Sequence, residues 1–215
     1  MDERPITTPR LAATVILLRS LDEPLELLLV QRSHEARFMG GAWVFPGGAV
    51  DDADRVDDPA VGDRPAGARA AARRELAEEA SVQISDLDEL VPYARWITPR
   101  VLPIRFDTWF FLAAAPPDAA PAVDNSEIVS WRWLSPSAAL ADESLTIAFP
   151  TRRQLEQLAA FSSAQALIDH ARASTISPIE PRLIQGEHAR IVLPGDDEFP
   201  LTDADASEMP EARGV

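Results

Sequence analysis

Apolar residues fall along the chain in short runs separated by turn-forming stretches. Residues 11–19 (LAATVILLR) and 25–32 (LELLLVQR) are nearly continuous in Val, Ile and Leu, and Ser, Leu, Asp, Glu and Pro lie between them. Runs of this length bounded by turn residues read as strands, here antiparallel neighbours. Residues 43–45 predict a third, short strand, stopped by Pro46, Gly47 and Gly48. Residues 51–67 (DDADRVDDPAVGDRPAG) are acidic and rich in Pro and Gly, and predict a loop. Residues 68–79 (ARAAARRELAEE) are almost wholly Ala, Leu, Arg and Glu, the composition of a stable helix. Further strands are expected over 90–97, 105–113 and 128–134, with Phe106, Thr108 and Phe110 on one face of the middle one. Residues 116–125 form a Pro- and Ala-rich loop, followed by helices over 135–141 and 151–172, the second interrupted at Ser162 and Ser163. Together these predict an α/β sandwich around a mixed sheet.

The chain has 215 residues, enough for one sizeable core. The expected organisation is a flexible N-terminus over 1–10, one domain over 11–172, and a C-terminal extension over 173–215. The last 20 residues, from Asp196, carry seven acids and read as a tail. All 20 basic residues are Arg, against 35 acids, and the net charge of −15 argues against a nucleic-acid surface. It also makes an anionic substrate awkward unless a cation screens the site. The absence of Cys excludes a disulfide framework, a thiolate zinc site and a cysteine nucleophile. His34, His170 and His188 show no spacing suited to a metal. No apolar run has the length of a membrane span, and the start lacks the build of a signal peptide, so a cytoplasmic location is expected.

Chemistry is concentrated in the helix. Glu75, Glu78 and Glu79 stand at i, i+3 and i+4 and share one face, while Ala72, Leu76 and Ala80 form a neighbouring apolar stripe. Facing like charges destabilise a helix, and a hard cation such as Mg²⁺ with oxygen ligands reverses that sign. Taken alone, such a string is more often a solvated acidic face. The Phe45–Gly48 turn and the acids just beyond it change the picture. A loop returning over the helix would bring Asp54 and the Gly48 carbonyl to the same ion.

This stretch resembles the Nudix box, G-x(5)-E-x(7)-R-E-U-x-E-E-x-G-U with U aliphatic. Gly48 matches the first Gly, and Arg74, Glu75, Leu76, Glu78, Glu79 and Val82 match the end. Asp54 stands in place of the first Glu, Ser81 in place of the closing Gly, and nineteen residues (55–73) replace seven. The resemblance implies an α/β/α sandwich and a Mg²⁺ site, with Mn²⁺ as the alternative ion. Glu75, Glu78 and Glu79 would be ligands, and Asp54 a direct or outer one. Arg74 would orient a ligand carboxylate, and Glu79 or Glu127 would serve as general base. The insertion in the box falls at 55–67.

A second pattern lies upstream. Leu28, Leu29, Arg32, Ser33, Arg37, Gly41 and Phe45 to Gly48 match the signature L-L-T-x-R-S/A-x(3)-R-x(3)-G-x(3)-F-P-G-G of Nudix coenzyme A diphosphatases, with Val30 in place of Thr. The implied reaction is Mg²⁺-dependent hydrolysis of the diphosphate of CoA or acyl-CoA to 3′,5′-ADP and 4′-phosphopantetheine or its acyl form. Arg32, Arg37 and the Gly47 backbone are the expected substrate contacts, because guanidinium binds phosphate oxygens bidentately; each Arg is also open to a structural ion pair. Two other readings stay open: the same chemistry on ADP-ribose or a dinucleotide, and a non-catalytic binding module. The expected partner is a small-molecule nucleoside diphosphate, neither nucleic acid nor membrane, with a homodimer as one outcome.

Overall fold

The structure is a computed structural model that describes residues 6–19, 25–36, 39–123, 126–184, 190–197 and 199. The long strand β1 (Arg10–Arg19) is its centre. One edge of β1 runs parallel to β6 (Phe106–Ala114) in continuous register, from Arg10 opposite Phe106 to Leu18 opposite Ala114. The other edge is divided. β2 (Glu26–Arg32) pairs antiparallel with its far end at Leu18 and Arg19, and β4 (Gly47–Ala49) pairs with Ala12, Ala13 and Thr14. β3 (Trp43–Val44) and β7 (Ile128–Leu134) flank β2, while β5 (Val91–Ile97) flanks β6 and carries the short β8 (Pro178–Ile179) in parallel on its outer edge. The eight strands make one mixed sheet; β9 (Arg182–Ile184) and β10 (Arg190–Val192) form a separate antiparallel pair.

Strand alternation sends side chains to two cores. Val15, Leu17, Leu28, Val30 and Phe111 pack under the helix α2 (Ala68–Ala80), which offers Ala68, Ala71, Ala72, Leu76 and Ala80. Ile16, Leu18, Leu27, Leu29, Phe110 and Leu112 pack on the opposite face, under α3 (Pro136–Ala141), α4 (Phe149–Leu158) and α5 (Ala164–Ala173). The layering is the expected α/β/α sandwich. The interruption at Ser162 and Ser163 is present: α4 ends at Leu158, and the Ser163 hydroxyl caps α5 by accepting the Ala166 N–H at 3.2 Å.

Two stretches differ from expectation. Gly47 and Gly48, read as a stop, are themselves strand residues in β4. The acidic stretch 51–67 is not all loop: it holds the short helix α1 (Asp52–Asp57). The remainder of that stretch is pinned by Asp58, which is buried and receives two hydrogen bonds from Arg64 at 2.7 Å, with the Arg69 N–H on Oδ2 at 2.7 Å. On the other side of the sheet's centre, buried Arg105 ties distant segments together. It donates to the Thr7 carbonyl at 2.8 Å, the Thr98 carbonyl at 3.0 Å and the Glu180 carboxylate at 2.7 Å. Among the described residues no helix is long and apolar enough to cross a membrane.

Candidate active site

The small Ala side chains of α2 let that helix lie close over β4, and the glycines of β4 complete the approach. A Cβ on Gly48 would collide with the Glu75 carboxylate; a Cβ on Gly47 would lie 2.5 Å from the Ala13 carbonyl oxygen and from Thr14 Oγ1. Both positions need glycine for contact distance rather than for backbone conformation. The Gly47 N–H donates to Glu79 Oε2 at 2.8 Å, which locks the strand to the helix at the carboxylate face.

Arg74 organises the acids around it. Its Nε and Nη2 hold the two Asp54 oxygens at 3.2 and 3.0 Å, Nη2 also meets the Ala49 carbonyl at 3.0 Å, and Nη1 meets Glu75 at 2.8 Å and Glu78 at 3.0 Å. Asp54, buried at the start of the insertion, also accepts the Asp51 N–H at 2.9 Å. Its carboxylate is therefore spent on Arg74 and the turn, which suits the outer of the two roles expected for it. These contacts, the Asp54 hydrogen bond foremost, raise the Arg74 pKa above its ordinary value.

Glu75 and Glu79 face a cleft of about 510 Å³, together with Glu127, Arg32, Gly47 and Gly48. Burial pushes the Glu79 carboxyl up to about 8, with the neighbouring Glu75 and Glu127 adding to the rise and the Gly47 N–H and Arg32 opposing it. Burial also raises Glu75, against the pull of Arg74. Arg32 stands 4.0 Å from Glu79, and its Nε is buried without a hydrogen-bond partner. Glu127 is exposed, and its carbonyl accepts the Ser33 N–H at 2.7 Å. Arg37, the other expected substrate contact, lies outside the described residues. Arg10 also lines the cleft. By sequence it belongs to a frayed terminus, and nothing in a strand-opening Arg marks it as a site residue.

The structure thus brings together Glu75, Glu79, Glu127, Arg32, Gly47 and Gly48 at the cleft, and sets Glu78 and Asp54 around Arg74. As arranged, no three acidic or His side chains among the described residues converge on one ion position. The donors nevertheless fit a hard divalent cation: they are carboxylate and carbonyl oxygens, and the buried Glu79 lies beside the half-buried Glu75, both desolvated at a cost that a cation would reverse.

A NUDIX domain model matches residues 8–157 of the chain. The Caenorhabditis elegans protein provisionally named nudix hydrolase 7 is 31% identical over 163 residues, 59% of this chain and 52% of its own length. The Xenopus laevis acyl-coenzyme A diphosphatase NUDT19 is 32% identical over 124 residues, 52% of this chain and 32% of its own length. The chain therefore spans about half or less of these curated relatives. The crystal structure of a NUDIX hydrolase from Alicyclobacillus acidocaldarius shares the fold, with a TM-score of 0.70 at 24% identity, covering 80% of this chain and 99% of that one.

Proposed function

The chain belongs to the Nudix family, and from that premise we propose that it is a Mg²⁺-dependent diphosphatase of CoA or acyl-CoA. The products are 3′,5′-ADP and 4′-phosphopantetheine or its acyl form. The observation that carries this reading is the pairing, in one cleft, of the half-buried Glu75 and the buried Glu79 with Arg32, whose Nε has no hydrogen-bond partner. A cation that seeks an acceptor beside two carboxylates suits a substrate that brings phosphate oxygens and shares a metal ion. The similarity to an acyl-coenzyme A diphosphatase supports the substrate class.

A divalent cation held by Glu75, Glu78 and Glu79, with the Gly48 carbonyl beside them, would neutralise the diphosphate and stabilise charge in the phosphoryl transition state. The chain's own residues do the rest. Arg32 orients a phosphate oxygen, with Arg37 assigned the same role from its place in the signature. The Gly47 backbone keeps Glu79 in place. Arg74 is a positioning residue: anchored by Asp54, it fixes the carboxylates of Glu75 and Glu78. Glu127 or Glu79 accepts the proton of the attacking water.

The test is mass spectrometry of CoA incubated with protein and Mg²⁺ in ¹⁸O-water, with Glu79→Gln as control. Labelled product that forms only with Mg²⁺ and is lost in the variant supports the reading. Intact CoA and acyl-CoA alongside cleaved ADP-ribose or dinucleotide would move the substrate to another nucleoside diphosphate. Tight binding with no turnover of any of these would make the protein a binding module.

A further inference from the structure

A second cavity, of about 190 Å³, adjoins the cleft. Met39, Phe106, Thr108, Phe110 and Pro150 line both spaces, so the two are adjacent and share a wall. Beyond that shared wall the lining turns apolar. Trp96 and Phe149 meet edge to face at 6.3 Å, and Ile97, Leu102, Pro181 and Ile191 close the remainder. Among the described residues that line it, none is charged. The Thr98 hydroxyl is already engaged by the Phe106 N–H at 3.0 Å. Pro181 and Ile191 lie outside the family match, so this chain's C-terminal extension builds part of the wall.

We propose that this annex seats the acyl chain of an acylated substrate, so that the preferred ligand is a short- to medium-chain acyl-CoA rather than free CoA. The inference rests on the diphosphatase reading above and deepens it. The diphosphate and the acyl group are the two ends of one flexible pantetheine arm, and the cleft and annex offer the matching chemistries side by side. An adenine ring is the poorer occupant, because its ring nitrogens would be buried against walls with almost no free donors or acceptors. Trp96, in the annex wall, keeps a buried indole N–H without a hydrogen-bond partner. At roughly 30 Å³ per chain atom, the share of one water in the liquid, the annex holds about six carbons.

The experiment measures dissociation constants for CoA and for butanoyl-, hexanoyl- and dodecanoyl-CoA by calorimetry in the presence of a chelator, so that binding is read without turnover. Wild type, Leu102→Asp and Ile191→Asp are compared. Both positions are partly exposed, so the variants fold. Affinity is expected to rise roughly fourfold per methylene buried, so that hexanoyl-CoA binds more than tenfold tighter than CoA, and then to level off. Both variants are expected to lose that gain while free CoA binds as before. Equal affinity for CoA and hexanoyl-CoA overturns the annex and leaves the diphosphatase reading standing. A chain-length gain that survives both substitutions puts the chain elsewhere and also overturns it. Binding of none of these ligands in chelator, together with turnover of none of them on adding Mg²⁺, overturns both readings, whereas the expected pattern without hydrolysis on adding Mg²⁺ keeps the annex and removes the enzyme.

Discussion

Arg74 is the single residue on which the acidic site turns. Its fork reaches Asp54, Glu75, Glu78 and a backbone carbonyl together, and an ammonium cannot reproduce that geometry. Under the proposed function, in which Arg74 orients metal ligands, Arg74→Lys is expected to weaken Mg²⁺ activation by about 10–100-fold, with circular dichroism unchanged; a Mg²⁺ titration of the initial rate checks it. Glu79 makes a second expectation, about pH. Its carboxyl is raised to about 8 in the fold, above the ordinary 4.5. The folded protein therefore holds this proton more tightly than the unfolded chain. The stabilisation is present in full below about 4.5 and is lost as pH rises toward 8, with a slope of up to about 1.4 kcal/mol per pH unit. Urea denaturation of the metal-free protein between pH 5 and 8 should show that slope, and Glu79→Gln should flatten it. On the proposed ligand set, protons and cation compete for the same oxygens, and the metal is expected to bind more tightly as pH rises through this window. That Glu75, Glu78 and Glu79 share one helix face was legible from spacing, whereas reading them as metal ligands needed the resemblance to the Nudix box. The engagement of Asp54 by Arg74 was not legible, because it depends on how the insertion returns over α2.

At the scale of elements, α2 ends on an unusual residue. Ser81 adopts the left-handed conformation, φ 56° and ψ 25°, and its N–H closes the helix on the Ala77 carbonyl. In the sequence Ser81 is the departure from glycine, and the structure shows the cap is made regardless, with a side chain where glycine would be unstrained. Ser81→Gly is expected to stabilise the fold by about 1 kcal/mol, a rise in melting temperature of roughly 2–4 °C by calorimetry. Strands and helices were mostly readable because their patterns are local. The apolar runs of β1 and β2 and the serine break before α5 carry their own signals. The inserted segment was not readable, since Asp, Pro and Gly indicate loop. Its order comes from buried Asp58 and Arg64, with the Gly67 and Arg69 N–H groups closing on Asp58 from the far side of the turn.

For the molecule as a whole, Arg105 joins segments that are far apart in sequence, with Thr7 before β1 and Glu180 after β8 on the same guanidinium. Glu180 is mostly shielded from solvent, so removing it leaves a buried cation short of its counter-ion. Glu180→Ala is expected to cost about 2 kcal/mol, a fall of roughly 5 °C by thermal denaturation. The same residue bears on how the chain reaches its native state. β1 waits nearly a hundred residues for β6, and Arg105 waits for a carboxylate 75 positions onward. Loop closures of that span are slow and must be made before they are rewarded. During synthesis, Arg105 has the Thr7 and Thr98 carbonyls but lacks its carboxylate, and the outer edge of β5 lacks β8, until the ribosome has released residue 180. For that interval the nascent chain carries an open sheet edge, a template on which another copy can pair before β8 arrives.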